Sequence, residues 1–99
     1  MENNRELRGW ILRVIDKAFP DPLSVTIVRD QLLALGFAPD NLGMKANLAY
    51  LEEKEYIHKE TAKAGGIERE TIRLTARGKD LLEGNIPDDP GIQLGARFG

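Results

Sequence analysis

The side chains able to do chemistry in this chain are cations and amides rather than nucleophiles. There is one histidine, His58, no cysteine, and a single serine, Ser24. Ser-His-Asp, Cys-His and multi-histidine metal arrangements therefore have no residues to build them, and no metal or cofactor motif is present. The acidic pairs Glu52-Glu53 and Asp88-Asp89 are adjacent in sequence, so on a helix or an extended chain they diverge instead of sharing a proton or an ion. Gly65-Gly66 is followed by neither a helix start nor Lys-Ser/Thr, which makes it a turn and not a phosphate cradle. What remains are binding groups. Asn41, Lys45 and Asn47 lie in one helical stretch, where asparagine can pair with adenine and lysine reaches guanine or a phosphate. Lys59, Lys63, Arg69 and Arg73 flank Gly65-Gly66 and exceed Glu60, Glu68 and Glu70 by one charge. Cations in such a cluster displace counterions from a phosphate backbone. Such groups suit double-stranded DNA as a partner, as they suit a solvated surface, and an enzyme is not expected.

The elements that must position these groups follow from period and punctuation. Asn3 or Asn4 can cap a first helix whose Leu7, Trp10, Ile11, Val14, Ile15 and Ala18 fall on one stripe. Gly9 costs roughly 1 kcal/mol against alanine inside that helix, so a close packing contact is expected there. Pro20 and Pro22 end it. Leu23-Ser24-Val25 makes a minimal strand, and Thr26 can cap a second helix with Val28, Leu32 and Leu35 inward and Gly36 at its end. Asp40 can cap a third helix, in which Met44, Leu48 and Leu51 cluster on one side. Alternating runs at Tyr56 to Thr61 and Glu70 to Thr75, joined through Gly65-Gly66, read as a hairpin. In strict alternation Lys59, Thr61 and Lys63 share a face, and Arg69 and Arg73 share theirs with Thr71, together able to touch phosphates across a minor groove. Thr75 can cap a fourth helix, Ala76 to Glu83, with Leu81 and Leu82 inward and Gly84 at its end.

The order helix, strand, helix, helix, strand, glycine tip, strand, helix is that of an α+β winged helix-turn-helix, here spanning residues 1–84. The expected core is Leu7, Trp10, Ile11, Val14, Ile15, Val28, Leu32, Leu35, Leu48, Leu51, Ile57, Ile72, Leu74 and Leu81. Residues 85–99, NIPDDPGIQLGARFG, carry two prolines and three glycines and no sustained period. Such a tail is expected to be flexible and disordered alone, although Ile86, Ile92, Leu94 and Phe98 are more apolar than a solubilising tail needs. Ninety-nine residues leave room for one small core, stabilised by packing alone in the absence of cysteine. The polar N-terminus and the lack of any long apolar run point to no membrane and a cytoplasmic setting. A net charge of -2 argues against a strongly basic nucleic-acid binder and leaves room for a local basic patch.

LAYLEEKEYI resembles the usual ending of the third helix in winged helix-turn-helix proteins, and TIRLTARGKDLLEG resembles the strand-to-helix ending of many bacterial regulators. More narrowly, ILRVI, NLAYLEEKEYI, LTARGKDLLEG and the PGI-containing tail make the whole chain similar to a family of small winged-helix proteins of Mu-like phages and prophages. That resemblance implies DNA binding and, with it, a part in transcription regulation. One departure is Glu55, where such proteins tend to place glycine, so the third helix is expected to run on or to end differently.

These residues allow two functions. In the first, Asn41, Lys45 and Asn47 enter a major groove and Lys59, Lys63, Arg69 and Arg73 hold the backbone. In the second, the thinly charged face of the third helix, Leu42, Ala46, Ala49 and Tyr50, docks with the apolar tail on a second copy or on a phage or host protein. Asp40, Glu52 and Glu53 outnumber Lys45 and Lys54 in that helical span, which favours the second. The architecture and the basic hairpin favour the first.

Overall fold

A computed structural model describes residues 4–95; Asn3, one of the two candidate caps, and Phe98 of the tail lie outside them. The elements are α1 (Asn4–Asp16), β1 (Leu23–Ser24), α2 (Val25–Ala34), α3 (Asn41–Glu53), β2 (Ile57–Ala64), β3 (Ile67–Leu74) and α4 (Ala76–Glu83). This is the expected α+β winged helix-turn-helix order. The three strands form one antiparallel sheet in the order β1-β3-β2. No helix among the described residues is long and apolar enough to cross a membrane.

α1 packs against α2, α3, α4 and β3, so its buried arc is wider than one stripe. Leu12 is consequently fully buried beside Leu7, Ile11, Val14 and Ile15, although it was absent from the expected core. Trp10 falls at the edge of the arc and is only partly buried, with the Arg13 guanidinium 5.2 Å from its ring centre. Leu35 also departs from expectation and is 47% exposed. α2 ends one residue earlier, and the chain turns away at Gly36 with a φ of 94°. Phe37 then donates its N–H to the Leu32 carbonyl at 2.9 Å and packs on the core in place of Leu35, the usual partner arrangement after a glycine-ended helix.

Caps set the other boundaries. Ser24, not Thr26, caps α2, accepting from the Ile27 N–H at 3.1 Å. β1 pairs Leu23 with Ile72 and Ser24 with Thr71, and pairing through Ser24 places the helix start directly after it. Asp40 caps α3, accepting from the Gly43 N–H at 2.6 Å, and Thr75 caps α4 through Gly78 N–H at 3.0 Å, both as expected. α3 does not run on. Glu55 adopts the left-handed conformation itself, with a φ of 68°. Glu55 N–H donates to Glu52 O at 2.9 Å and Tyr56 N–H to Leu51 O at 3.0 Å, the bond pattern glycine normally closes. Buried Tyr56 and Leu51 hold the turn in place against the cost of a side chain there.

β2 and β3 are longer than the alternating runs suggested and meet at Gly65-Gly66, both with positive φ, the backbone a two-residue hairpin turn requires. Residues 57, 72 and 74 are buried where the hairpin crosses the core, and beyond them it projects into solvent. This projection is the wing.

Residues 85–95, expected as a flexible tail, pack on the domain, with 90–95 lying along α1. Ile92 and Leu94 are buried, with 3% and 6% exposure. Gln93 N–H donates to the Arg5 carbonyl at 2.9 Å, Arg5 Nε to Pro90 O at 2.8 Å, and an Arg8 guanidinium nitrogen to Gly91 O at 3.1 Å. Arg13 reaches the Leu94 carbonyl. The contact expected at Gly9 is this one, since a Cβ there would sit 2.1 Å from Gln93 O. Asp89 is the buried anchor, accepting from the Tyr56 hydroxyl at 2.9 Å and from Gly91 N–H at 2.8 Å, with Lys54 Nζ at 3.6 Å. The segment has no sustained period because only Asp89, Ile92 and Leu94 are buried, and its contacts with the arginines of α1 run through backbone carbonyls. That leaves the apolar tail engaged within the chain, contrary to its role in the docking reading.

Candidate nucleic-acid interface

Helix α3 leaves the outer side of its first turns open, because Met44, Asn47 and Leu48 turn inward while Asn41, Leu42, Lys45 and Ala46 are exposed. The start of α2, these turns and the base of the wing enclose a cleft of about 470 Å³. Met44 and Leu48 form its floor; Thr26, Arg29, Asn41, Lys45, Lys59 and Glu70 form its walls. Such a concave surface with three cations and an amide suits a polyanion carrying hydrogen-bonding edges.

Asn41 and Lys45 are exposed and lie one turn apart on α3. Arg29 was missed. One of its guanidinium nitrogens donates to Asn41 Oδ1 and another to the Pro39 carbonyl at 2.8 Å. It thereby ties α2 to the turn before α3. Its position four residues after Val25 in α2, outside the apolar stripe, was the one signal, shared with any solvated arginine.

Asn47 is withdrawn from the site. It is 2% exposed, accepts from Arg8 Nε at 2.8 Å and donates through Nδ2 to Gly43 O at 2.8 Å and Asn4 Oδ1 at 3.3 Å. A buried amide needs such partners, and these consume its polar atoms. Asn47 joins α1 to α3 and presents nothing to solvent.

The wing divides its cations. The register pairs Lys59 with Ile72 and Lys63 with Glu68, and pairs His58 with Arg73 and Ala62 with Arg69. Directly opposed residues share a face, so Lys59 and Lys63 lie on the side that continues from the core, and Arg69 and Arg73 lie on the other. The four do not make one patch. On the inner side Lys59 Nζ is 3.4 Å from Glu70 and Lys63 Nζ 3.1 Å from Glu68. Both pairs are partly solvated and contribute little to stability. Lys59 N–H also donates to Glu52 Oε2 at 3.2 Å, joining the wing to α3. His58 is an exposed strand residue 3.0 Å from Glu60.

Of the alternative interface, Leu42 is 76% exposed and Ala46 and Ala49 are exposed beside it. Tyr50 is less open. The Arg8 guanidinium lies 3.7 Å from its ring centre, and its hydroxyl occupies the space a Cβ at Gly91 would need.

No family model matches the sequence, and no curated protein matches it. Solved structures do. A PadR family transcription regulator from Clostridium difficile superposes with a TM-score of 0.68 at 21% identity, covering 80% of this chain and 81% of its own. A PadR-like transcription factor from Bacteroides fragilis gives 0.67 at 16% identity, covering 80% and 75%. Bacillus subtilis PadR, solved in complex with operator DNA, gives 0.63 at 21% identity over 87% of this chain, which spans only half of that protein. At these identities the likeness is one of fold, and the fold is the winged helix-turn-helix.

Proposed function

We propose that the chain is a DNA-binding winged-helix transcription regulator that presents the start of α3 to a major groove and its wing to the flanking backbone. The observation that carries this reading is the cleft in which Arg29, Asn41, Lys45 and Lys59 converge from three elements. The B. subtilis protein of the same fold binds operator DNA, which supports the same use of the fold here. Asn41 and Lys45 contact base edges, Lys59 and Lys63 one run of phosphates, and Arg69 and Arg73 approach the backbone from the far side of the wing. The resemblance to small proteins of Mu-like phages gives this regulator a phage or prophage setting.

The net charge of -2 weakens attachment to a polyanion and the local cations make it electrostatic, so it is measured best as duplex affinity across a salt series. Affinity should fall as salt rises, and replacing Lys59, Lys63, Arg69 and Arg73 by alanine should lower both affinity and salt slope. Absence of binding to any duplex at about 50 mM salt, within the range where such contacts are strongest, would overturn the reading. The exposed Leu42, Ala46 and Ala49 would then lead as a docking face for a second copy or another protein.

A further inference from the structure

The cleft also carries a preference among bases, an inference that rests on the DNA-binding reading. Asn41 is not a free amide, because Arg29 donates to it. Arginine has N–H donors and no acceptor, so the atom facing it is the carbonyl Oδ1. Pairing of asparagine with adenine needs Oδ1 to accept from the N6 amino group while Nδ2 donates to N7. With a guanidinium on Oδ1, that amino group, itself a donor, would have to lie beside a fixed positive charge. Nδ2 remains as a donor. Lys45, four residues on along the same exposed side of α3, offers donors alone, as does Arg29. Glu70, the carboxylate that would suit a cytosine amino group, is engaged by Lys59 at 3.4 Å.

A surface of donors at the start of α3 matches the base whose major-groove edge holds two neighbouring acceptors. That base is guanine, with N7 and O6; adenine offers an acceptor beside a donor. We propose that Arg29, by occupying Asn41 Oδ1, sets this protein to read guanine rather than adenine at the base pair facing the start of α3. Arg29 acts here as a positioning residue, fixed by its second bond to the Pro39 carbonyl at 2.8 Å.

The test is selection from a duplex library randomised over about ten base pairs, roughly one helical turn, using the full chain. Wild type should enrich guanine at one position and bind it about 10-fold or more tightly than the adenine-substituted duplex. Arg29→Lys, still a donor without an acceptor, should keep that preference. Arg29→Met leaves Oδ1 open and should move the position towards adenine; Asn41→Ala should flatten it. An unchanged guanine with Arg29→Met, or adenine in the wild-type set, overturns the proposal. Should Arg29→Met fail to fold in a thermal melt, 2,6-diaminopurine at the selected position decides with wild-type protein alone: it keeps N7 but puts an amino donor where O6 stood, which should cost about 10-fold, and no loss overturns the proposal. Duplex binding with no base enriched refutes the guanine preference and leaves the regulator reading in place. No binding to any duplex refutes both.

Discussion

Gly9→Ala separates a docked tail from a free one by the sign of its effect. In an open helix interior alanine is favoured over glycine by about 1 kcal/mol, so a free tail predicts a stabilised protein. In the structure the new Cβ would lie 2.1 Å from Gln93 O and 3.1 Å from Gln93 C. That carbonyl cannot swing aside cheaply, since Gln93 N–H is held by Arg5 O at 2.9 Å and buried Ile92 and Leu94 flank it. Overpacking of this kind costs about 1–3 kcal/mol, which offsets the helical gain and leaves a net loss of up to about 2 kcal/mol. Urea melts measure it, with about 4–8 °C of melting temperature per kcal/mol as a second readout for a chain of this size. The same substitution in a chain ending at Asn85 should instead stabilise by about 1 kcal/mol, because the obstructing carbonyl is gone. A full-length Gly9→Ala protein more stable than wild type would show that the tail does not rest on α1.

Three further outcomes follow from single positions. Glu55→Gly removes a side chain from a left-handed residue and should stabilise by about 1 kcal/mol in chemical melts; no gain would mean the turn is not strained. Burial by itself pushes the Asp89 carboxyl up, but the hydrogen bonds from Gly91 and Tyr56 with the nearby Lys54 ammonium hold it below the usual carboxylate range. Its contribution is therefore complete above the unfolded value of about 3.9 and is lost as pH falls through the lower folded value; tail amide shifts in an acid titration should show this release, and Asp89→Asn should remove that pH-dependent component. Leu12→Ala should cost about 2–5 kcal/mol and partly buried Trp10→Ala less than about 3 kcal/mol, an order that melts of the two variants would reverse if Trp10 were the deeper residue.

Local signals carried most of the fold. The inward period of α3, the caps Asp40 and Thr75, and the paired glycines of the hairpin act within a few residues of themselves, and each appears where its chemistry puts it, while the stripe of α1 differs at Trp10 and Leu12. Even the contact at Gly9 was legible as an unexplained glycine in a helix. What could not be read were partnerships across the chain. Asn47 looked like a groove-facing amide because its partner Arg8 is 39 residues away, and polarity alone does not distinguish a satisfied buried amide from an exposed one. The tail looked unstructured because only Asp89, Ile92 and Leu94 are buried and its remaining contacts run through main-chain carbonyls, which leave no periodic trace in side-chain pattern. Arg29 looked like any surface arginine until α2 and α3 were brought together. The two-faced wing was half legible: alternation grouped its cations correctly in two sets, and only the register showed that the sets lie on opposite faces.

The start of α3, the start of α2 and the wing are proposed to act together on one duplex. Amide chemical-shift mapping of the full chain during titration with a mixed-sequence duplex tests it most directly. Shifts are expected to concentrate at Thr26, Arg29, Asn41 to Lys45 and Lys59 to Arg73, diminishing as salt is added. Shifts confined to Leu33, Leu35 and the tail along α1, or none at low salt, would contradict it.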